Sequence, residues 1–237
     1  MTFIDIINFL LNMFGSLCFL LFGMKLMSDG IQKSTGDKVS SLLSFMTKNR
    51  FMGILTGCLL TMIIQSSGAT TVMTVSFVNA GLLSLVQAIS VIFGANIGTT
   101  ITAWIVALFG FNFKIQAFAI PIFGIGYILY TLKKLKSQNI GMAIMGFAIL
   151  FVALDWLSGS ISQNVENFTF LINIQQMGIL SIPLGFLVGI LFTALIHSSS
   201  AMTAIVITMA YNQMLTWEFS AAMIIGSNIG STIDSIM

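Results

Sequence analysis

Charge is what this sequence has least of. Only 7% of its 237 residues are Asp, Glu, Lys or Arg, with a formal net charge of +2. A soluble domain carries about a quarter. With 57% of residues hydrophobic and a mean hydropathy of +1.03, too little polar surface remains to cover a water-facing globule. Soluble enzymes, nucleic-acid binders and disordered chains are excluded. Cysteine is scarce too: Cys18 and Cys58 stand alone in apolar runs, which gives no disulfide framework and no transition-metal site. The N-terminus lacks a basic region and a small-residue cleavage site, so no cleaved signal peptide is expected. An all-α, multi-pass membrane protein is expected, in the plasma membrane, with the lipid bilayer as its partner.

What is there begins with apolar stretches. Residues 6–24, 115–132 and 140–157 each read as a helix able to cross roughly 30 Å of hydrocarbon, the last carrying Asp155. Two longer stretches, 51–110 and 177 to the chain end, are interrupted by small and polar residues. The interruptions are QSSGATT (65–71) and GANIGTT (94–100) in one, HSSSAMT (197–203) and GSNIGST (226–232) in the other. The bases mark sidedness. Lys25, Lys33, Lys38, Lys48 and Arg50 belong to one loop region and Lys133, Lys134 and Lys136 to another, with only Lys114 elsewhere. Placing both loops in the cytoplasm puts the N-terminus outside.

The two interrupted stretches align without a gap at an offset of 132 residues. Gly57, Thr61, Ser66 and Ser67 meet Gly189, Thr193, Ser198 and Ser199; Gly94, Asn96, Ile97, Gly98 and Thr100 meet Gly226, Asn228, Ile229, Gly230 and Thr232. KLMS at 25–28 resembles DWLS at 155–158 with a small slip. An odd number of crossings between the copies predicts two inverted-topology repeats. Repeat 1 is 1–136, with a re-entrant hairpin over about 51–84 and a broken helix over about 85–110. Repeat 2 is 137–237, with a hairpin over about 177–212 and a broken helix from about 217. The second copy stops before repeat 1's last helix is matched, so a truncated second repeat is expected. Inverted repeats with interrupted helices predict a transporter with its site at the repeat interface.

The interruptions suggest the ligand. Helix N-termini exposed at hairpin tips attract anions. Ser66, Ser67, Ser198 and Ser199 add hydroxyl donors, Asn96 and Asn228 side-chain amides. Gly94, Gly98, Gly226 and Gly230 let the backbone unwind. Freed carbonyls with the oxygens of Thr99, Thr100, Ser231 and Thr232 suit a hard monovalent cation such as sodium. The competing reading is hydroxyls bonded back to the preceding turn and small residues for close helix contact. His197, the single histidine, precedes three serines. Adjacent helical residues do not face each other and no GxSxG elbow is present. An intramembrane serine hydrolase is therefore disfavoured, no catalytic residue is assigned, and His197 reads as a polar tip residue whose repeat partner is Gln65. Asp155 and Asp234 are further acidic candidates.

These motifs, with NAGLL at 79–83 and FGMKLMSDG at 22–30, resemble the type II sodium/phosphate cotransporter family, including its bacterial members. The resemblance implies inorganic phosphate moved with sodium by alternating access. Carried over by position, it nominates Gln65, Ser66, Ser67, Ser198, Ser199 and Ser200. Joined to the reading of the interruptions above, phosphate is expected at Ser66, Ser67, Ser198, Ser199, Asn96 and Asn228, and sodium at Gln65, Thr99, Thr100, His197, Ser200, Ser231 and Thr232. Sodium is then the coupling ion and no other cofactor is implied; a homodimer is compatible. Two residues depart from the family pattern: Gly68 stands where a third serine is usual, and His197 where Gln is usual. The alternative within the same class is a transporter or channel for another small anion.

Overall fold

The computed structural model describes residues 3–43, 49–112, 115–132 and 135–235, and among them every element is helical. Lys48, Lys114, Lys133 and Lys134 lie outside the described residues, as do the side chains of Lys38, Lys136 and Asp234. In chain order the α-helices are α1 (Phe3–Leu43), α2 (Arg50–Ile64), α3 (Ser67–Asn79), α4 (Leu85–Ile105), α5 (Ala119–Thr131), α6 (Leu135–Ser162), α7 (Thr169–Gln175), α8 (Ser181–Ile196), α9 (Ser199–Tyr211) and α10 (Trp217–Gly230).

Among the described residues four helical stretches are long and apolar enough to cross a membrane: Ile4–Thr35, Leu85–Gly110, Ser137–Ser162 and Gly178–Ile196. The first and third extend well past the 6–24 and 140–157 runs. The 115–132 stretch is divided differently from the sequence expectation. A 3-10 turn, Ile115–Phe118, precedes α5, which has 13 residues and spans about 20 Å. Pro121 is the cause: without an N–H, proline is tolerated in the first turn of an α-helix and not deeper, so α5 starts just ahead of it.

The expected interruption at 94–100 also differs. Helix α4 runs through Gly94–Thr100 to Ile105, and the backbone leaves α geometry later, in the π turns Val106–Asn112. The equivalent α10 does end at its motif, tightening to a 3-10 turn over Ser231–Ser235. Gly94 and Gly98 serve packing. A Cβ on Gly94 would fall on the carbonyl of Ile54, and one on Gly98 would lie 2.5 Å from that of Cys58. Only glycine lets α2 and α4 approach this closely, the small-residue contact typical of membrane helices.

The same construction recurs 132 residues on, where α8 packs on α10 as α2 packs on α4. A Cβ on Gly57 would meet the Val91 carbonyl, and one on Gly189 the equivalent Met223 carbonyl. A Cβ on Gly226 would meet Phe186, the counterpart of Ile54; one on Gly230 would stand 2.6 Å from Ile190, the counterpart of Cys58. The caps repeat as well: Ser84 opens α4 and Thr216 opens α10 through side-chain acceptance of a backbone N–H.

Helices α1 and α6 pack along each other, α1 also touching α2 and α6 touching α9. Gly23, Gly30 and Gly146 make that contact, each facing backbone atoms of the other helix. The main core lies on this pair: Leu20, Met24 and Met27 of α1 meet Leu150, Phe151, Leu154 and Leu157 of α6, then Met202, Val206 and Met209 of α9. Large side chains on the outer faces, among them Phe14, Phe22, Ile120, Leu191 and Leu195, are exposed, as expected of surfaces solvated by acyl chains.

Candidate functional site

Each helix pair turns at one residue of left-handed conformation. Gln65 ends α2 with φ 56° and ψ 25°; His197 ends α8 with φ 56° and ψ 28°. Each cap N–H bonds back to a threonine carbonyl, Gln65 to Thr61 at 2.6 Å and His197 to Thr193 at 2.8 Å. The next residue is extended and caps the following helix. Ser66 Oγ accepts from Ala69 N at 3.1 Å, and Ser198 Oγ from Ala201 N at 3.2 Å. A serine used this way directs its own O–H proton away from the helix. Helix geometry leaves the amides of Ser67 and Gly68, and of Ser199 and Ser200, without intrahelical acceptors.

The two helix N-termini then meet. Ser67 Oγ and Ser199 Oγ, one on each unit and 132 residues apart, are 3.3 Å from each other, and both side chains are buried. Around them Gln65, Ser66, Ser67, Gly68, His197, Ser198, Ser199, Ser200 and Ser231 enclose a cavity of about 40 Å³, room for about three waters. Among the described residues no Lys or Arg lines it. Each terminus carries roughly half a positive charge. Two such like-signed ends brought together repel each other. An anion between them reverses that sign, gaining up to about 2 kcal/mol from each end. The donor set is amides and hydroxyls on converging dipoles, suited to a small oxyanion.

The remaining candidates divide. Gln65 is fixed by donating Nε2 to the Met62 carbonyl (2.7 Å) and accepting Thr102 Oγ1 on Oε1 (2.9 Å). His197 is exposed at the cavity edge and Ser200 is buried within it. Ser231 reaches the cavity while donating to the Asn228 carbonyl at 2.9 Å. Asn96, Asn228, Thr99, Thr100 and Thr232 do not line it. Thr99 donates to Ala95 (3.1 Å), Thr100 to Ile97 (2.7 Å) and Thr232 to Ile229 (2.7 Å). These hydroxyls bond back to the preceding turn. Asp155 is exposed and lines a separate groove of about 550 Å³ between α1 and α6. Sequence reasoning missed Ser28 and Gln32 of α1, which bond the carbonyl of Ile64 next to Gln65; polar residues one turn apart on an apolar helix were the signal.

Comparison with known proteins gives the family. Residues 19–159 and 174–237 match the family profile described as Na+/Pi-cotransporter. The chain belongs to the Na+/Pi-cotransporter family. It is therefore a membrane protein of a transporter family and not an enzyme, which removes the hydrolase alternative. The chain is 27% identical over 231 residues to the uncharacterized protein YqeW of Bacillus subtilis, covering 96% of this chain and 72% of that one. It is 25% identical over 224 residues to "Putative inorganic phosphate export protein YjbB" of Escherichia coli O157:H7, covering 94% of this chain and 40% of the relative. A 101-residue stretch, 42% of this chain, is 37% identical to human "Sodium-dependent phosphate transport protein 2B", of which it covers 15%. The chain thus spans well under half the length of the two relatives named for phosphate. No solved structure matches it.

Proposed function

We propose that this Na+/Pi-cotransporter family member carries inorganic phosphate across the plasma membrane coupled to sodium, by alternating access. The observation that carries the reading is the meeting of the α3 and α9 N-termini, Ser67 Oγ to Ser199 Oγ at 3.3 Å, in a cavity that no described Lys or Arg lines. Phosphate takes the amides of Ser67, Gly68, Ser199 and Ser200 and the hydroxyls of Ser66, Ser67, Ser198 and Ser199. Sodium takes oxygen acceptors at the same cavity, Ser200, Ser231 and the Gln65 side-chain carbonyl, and supplies a positive charge that no described Lys or Arg provides there. Asn96, Asn228, Thr99, Thr100 and Thr232, set back from the cavity, have no ligand role in this reading.

In this reading α2–α3 and α8–α9 are re-entrant hairpins of two inverted repeats, and the tips part to admit phosphate, since the cavity of about 40 Å³ is filled by about three waters. The N-terminus faces outward, so that the half of α1 carrying Lys25 and Lys33, helical and not the loop the sequence suggests, and the start of α2 at Arg50 lie toward the cytoplasm. Equilibrium binding of labelled phosphate to purified protein tests the proposal. Binding is expected in sodium, to be weak in potassium, and to be displaced poorly by sulfate. Equal binding in both cations, or preferential displacement by sulfate, overturns it.

A further inference from the structure

The last carbonyl of α2, Ile64 O, sits where a helix C-terminus leaves its acceptors unsatisfied. It is the backbone group directly before Gln65 and the Ser66 cap. Two side chains of α1 converge on it. Ser28 Oγ donates to Ile64 O at 2.6 Å; Gln32 Nε2 donates to the same oxygen at 3.0 Å and to Ser28 Oγ at 3.0 Å. The three groups form a closed triangle, and both side chains are half-buried. One residue further on, the Gln65 side chain is tied to Met62 O and Thr102 Oγ1. The left-handed turn is thereby held on both sides.

The second unit is held at a different place. Ser158 and Ser162 of α6 stand at an offset of 130 from Ser28 and Gln32, in the register set by KLMS and DWLS. They engage Asn212, the residue capping the far end of α9: Asn212 Nδ2 donates to Ser158 Oγ at 3.0 Å, and Ser162 Oγ donates to Asn212 Oδ1 at 3.1 Å. Asn212 lies about 20 Å along the helix from the Ser199 end. Thus α1 grips its helix pair at the tip, whereas α6 grips its pair at the base.

We infer that Ser28 and Gln32 are positioning residues for the substrate site, fixing the Ile64–Gln65–Ser66 turn so that the α3 N-terminus stays aimed at the cavity. Neither touches the cavity; both act through the Ile64 carbonyl. The inference rests on the reading of that cavity as the phosphate site, but its structural half does not.

The test uses the full chain in nanodiscs and proteoliposomes, comparing wild type with Ser28→Ala, Gln32→Leu, the double variant and Ser28→Thr. Hydrogen–deuterium exchange needs no knowledge of the substrate. The amides of 66–70 are expected to exchange about tenfold faster in the double variant, the worth of roughly two ordinary hydrogen bonds, with 198–201 as internal reference. In phosphate uptake, KM is expected to rise by about the same factor with Vmax per folded protein within about twofold, and Ser28→Thr to restore the wild-type KM. Unchanged exchange at 66–70, or acceleration of 198–201 to the same degree in every variant, overturns the inference, the second because the contact is then general packing. Faster exchange at 66–70 with an unaltered KM overturns it as well. Absence of phosphate uptake by the wild-type protein counts against the transport reading alone, and exchange still decides whether the turn is held.

Discussion

Replacing Ser66 separates the observed capping role of its hydroxyl from the ligand role proposed for it. As the cap of α3, Ser66 Oγ accepts the Ala69 N–H at 3.1 Å; as a cavity-lining group, it offers its proton to the oxyanion in the proposed reading. An alanine at an N-cap costs about 1 kcal/mol of helix stability, and a glycine only a few tenths. A hydrogen bond to a charged group contributes about 1.5–3 kcal/mol, which is roughly 10- to 100-fold in affinity. Ser66→Gly is therefore expected to leave the melting temperature nearly unchanged while raising the KM for phosphate roughly 10- to 100-fold. Ser66→Ala lowers both stability and affinity, and Ser66→Thr keeps both. The assay is labelled-phosphate uptake at graded concentrations beside thermal unfolding of the same preparations. A Ser66→Gly protein with wild-type KM would refute the assignment of this hydroxyl to substrate.

Three further outcomes follow from packing and from the two-unit geometry. Gly57→Ala and Gly189→Ala each drive a methyl into a backbone carbonyl, of Val91 and Met223, and are expected to destabilise by about 3 kcal/mol. Gly15→Ala, with nothing within 4 Å of the new atom, is expected to melt no earlier than wild type. Ser67→Cys with Ser199→Cys, in a background lacking Cys18 and Cys58, is expected to crosslink within one chain under mild oxidation. The crosslink is read by cleavage between the positions and electrophoresis, and its absence would contradict the 3.3 Å approach of the two hydroxyls. Thr193 Oγ1 is buried without a hydrogen-bond partner, whereas the equivalent Thr61 Oγ1 donates to Thr70 Oγ1 at 3.1 Å. Thr193→Val is thus expected to be neutral or stabilising and Thr61→Val to cost about 1 kcal/mol in thermal unfolding.

The duplication was legible because its carriers are chemically unusual for a membrane segment. Runs of two or three serines and G-x-N-I-G sequences are rare enough in apolar surroundings that one shared offset aligns both. The polar residues flanking the turns, Gln65 to Gly68 and His197 to Ser200, stood out for the same reason, and the fold brings them to one cavity. Glycine is where the sequence misleads. A glycine in an apolar helix serves equally for unwinding and for close approach, and only the partner carbonyls of Ile54, Cys58 and Val91 show which. Thr99, Thr100 and Thr232 were ambiguous in the same way, since a threonine hydroxyl can meet a cation or return to its own helix. The register between α1 and α2 that brings Ser28 and Gln32 to Ile64 depends on tertiary packing, and no local pattern encodes it. Pro121 sets the start of α5 by a local rule, yet the apolar run ahead of it concealed the boundary.

The central claim is that two opposed helix N-termini hold phosphate with sodium as the neutralising charge. Flux of labelled phosphate through proteoliposomes containing the purified protein tests it most directly, with the sodium gradient imposed in either direction or abolished. The account predicts flux that follows the sodium gradient and is lost when Ser66→Gly and Ser198→Gly are combined. Phosphate flux indifferent to sodium, or undiminished in the combined variant, would contradict it.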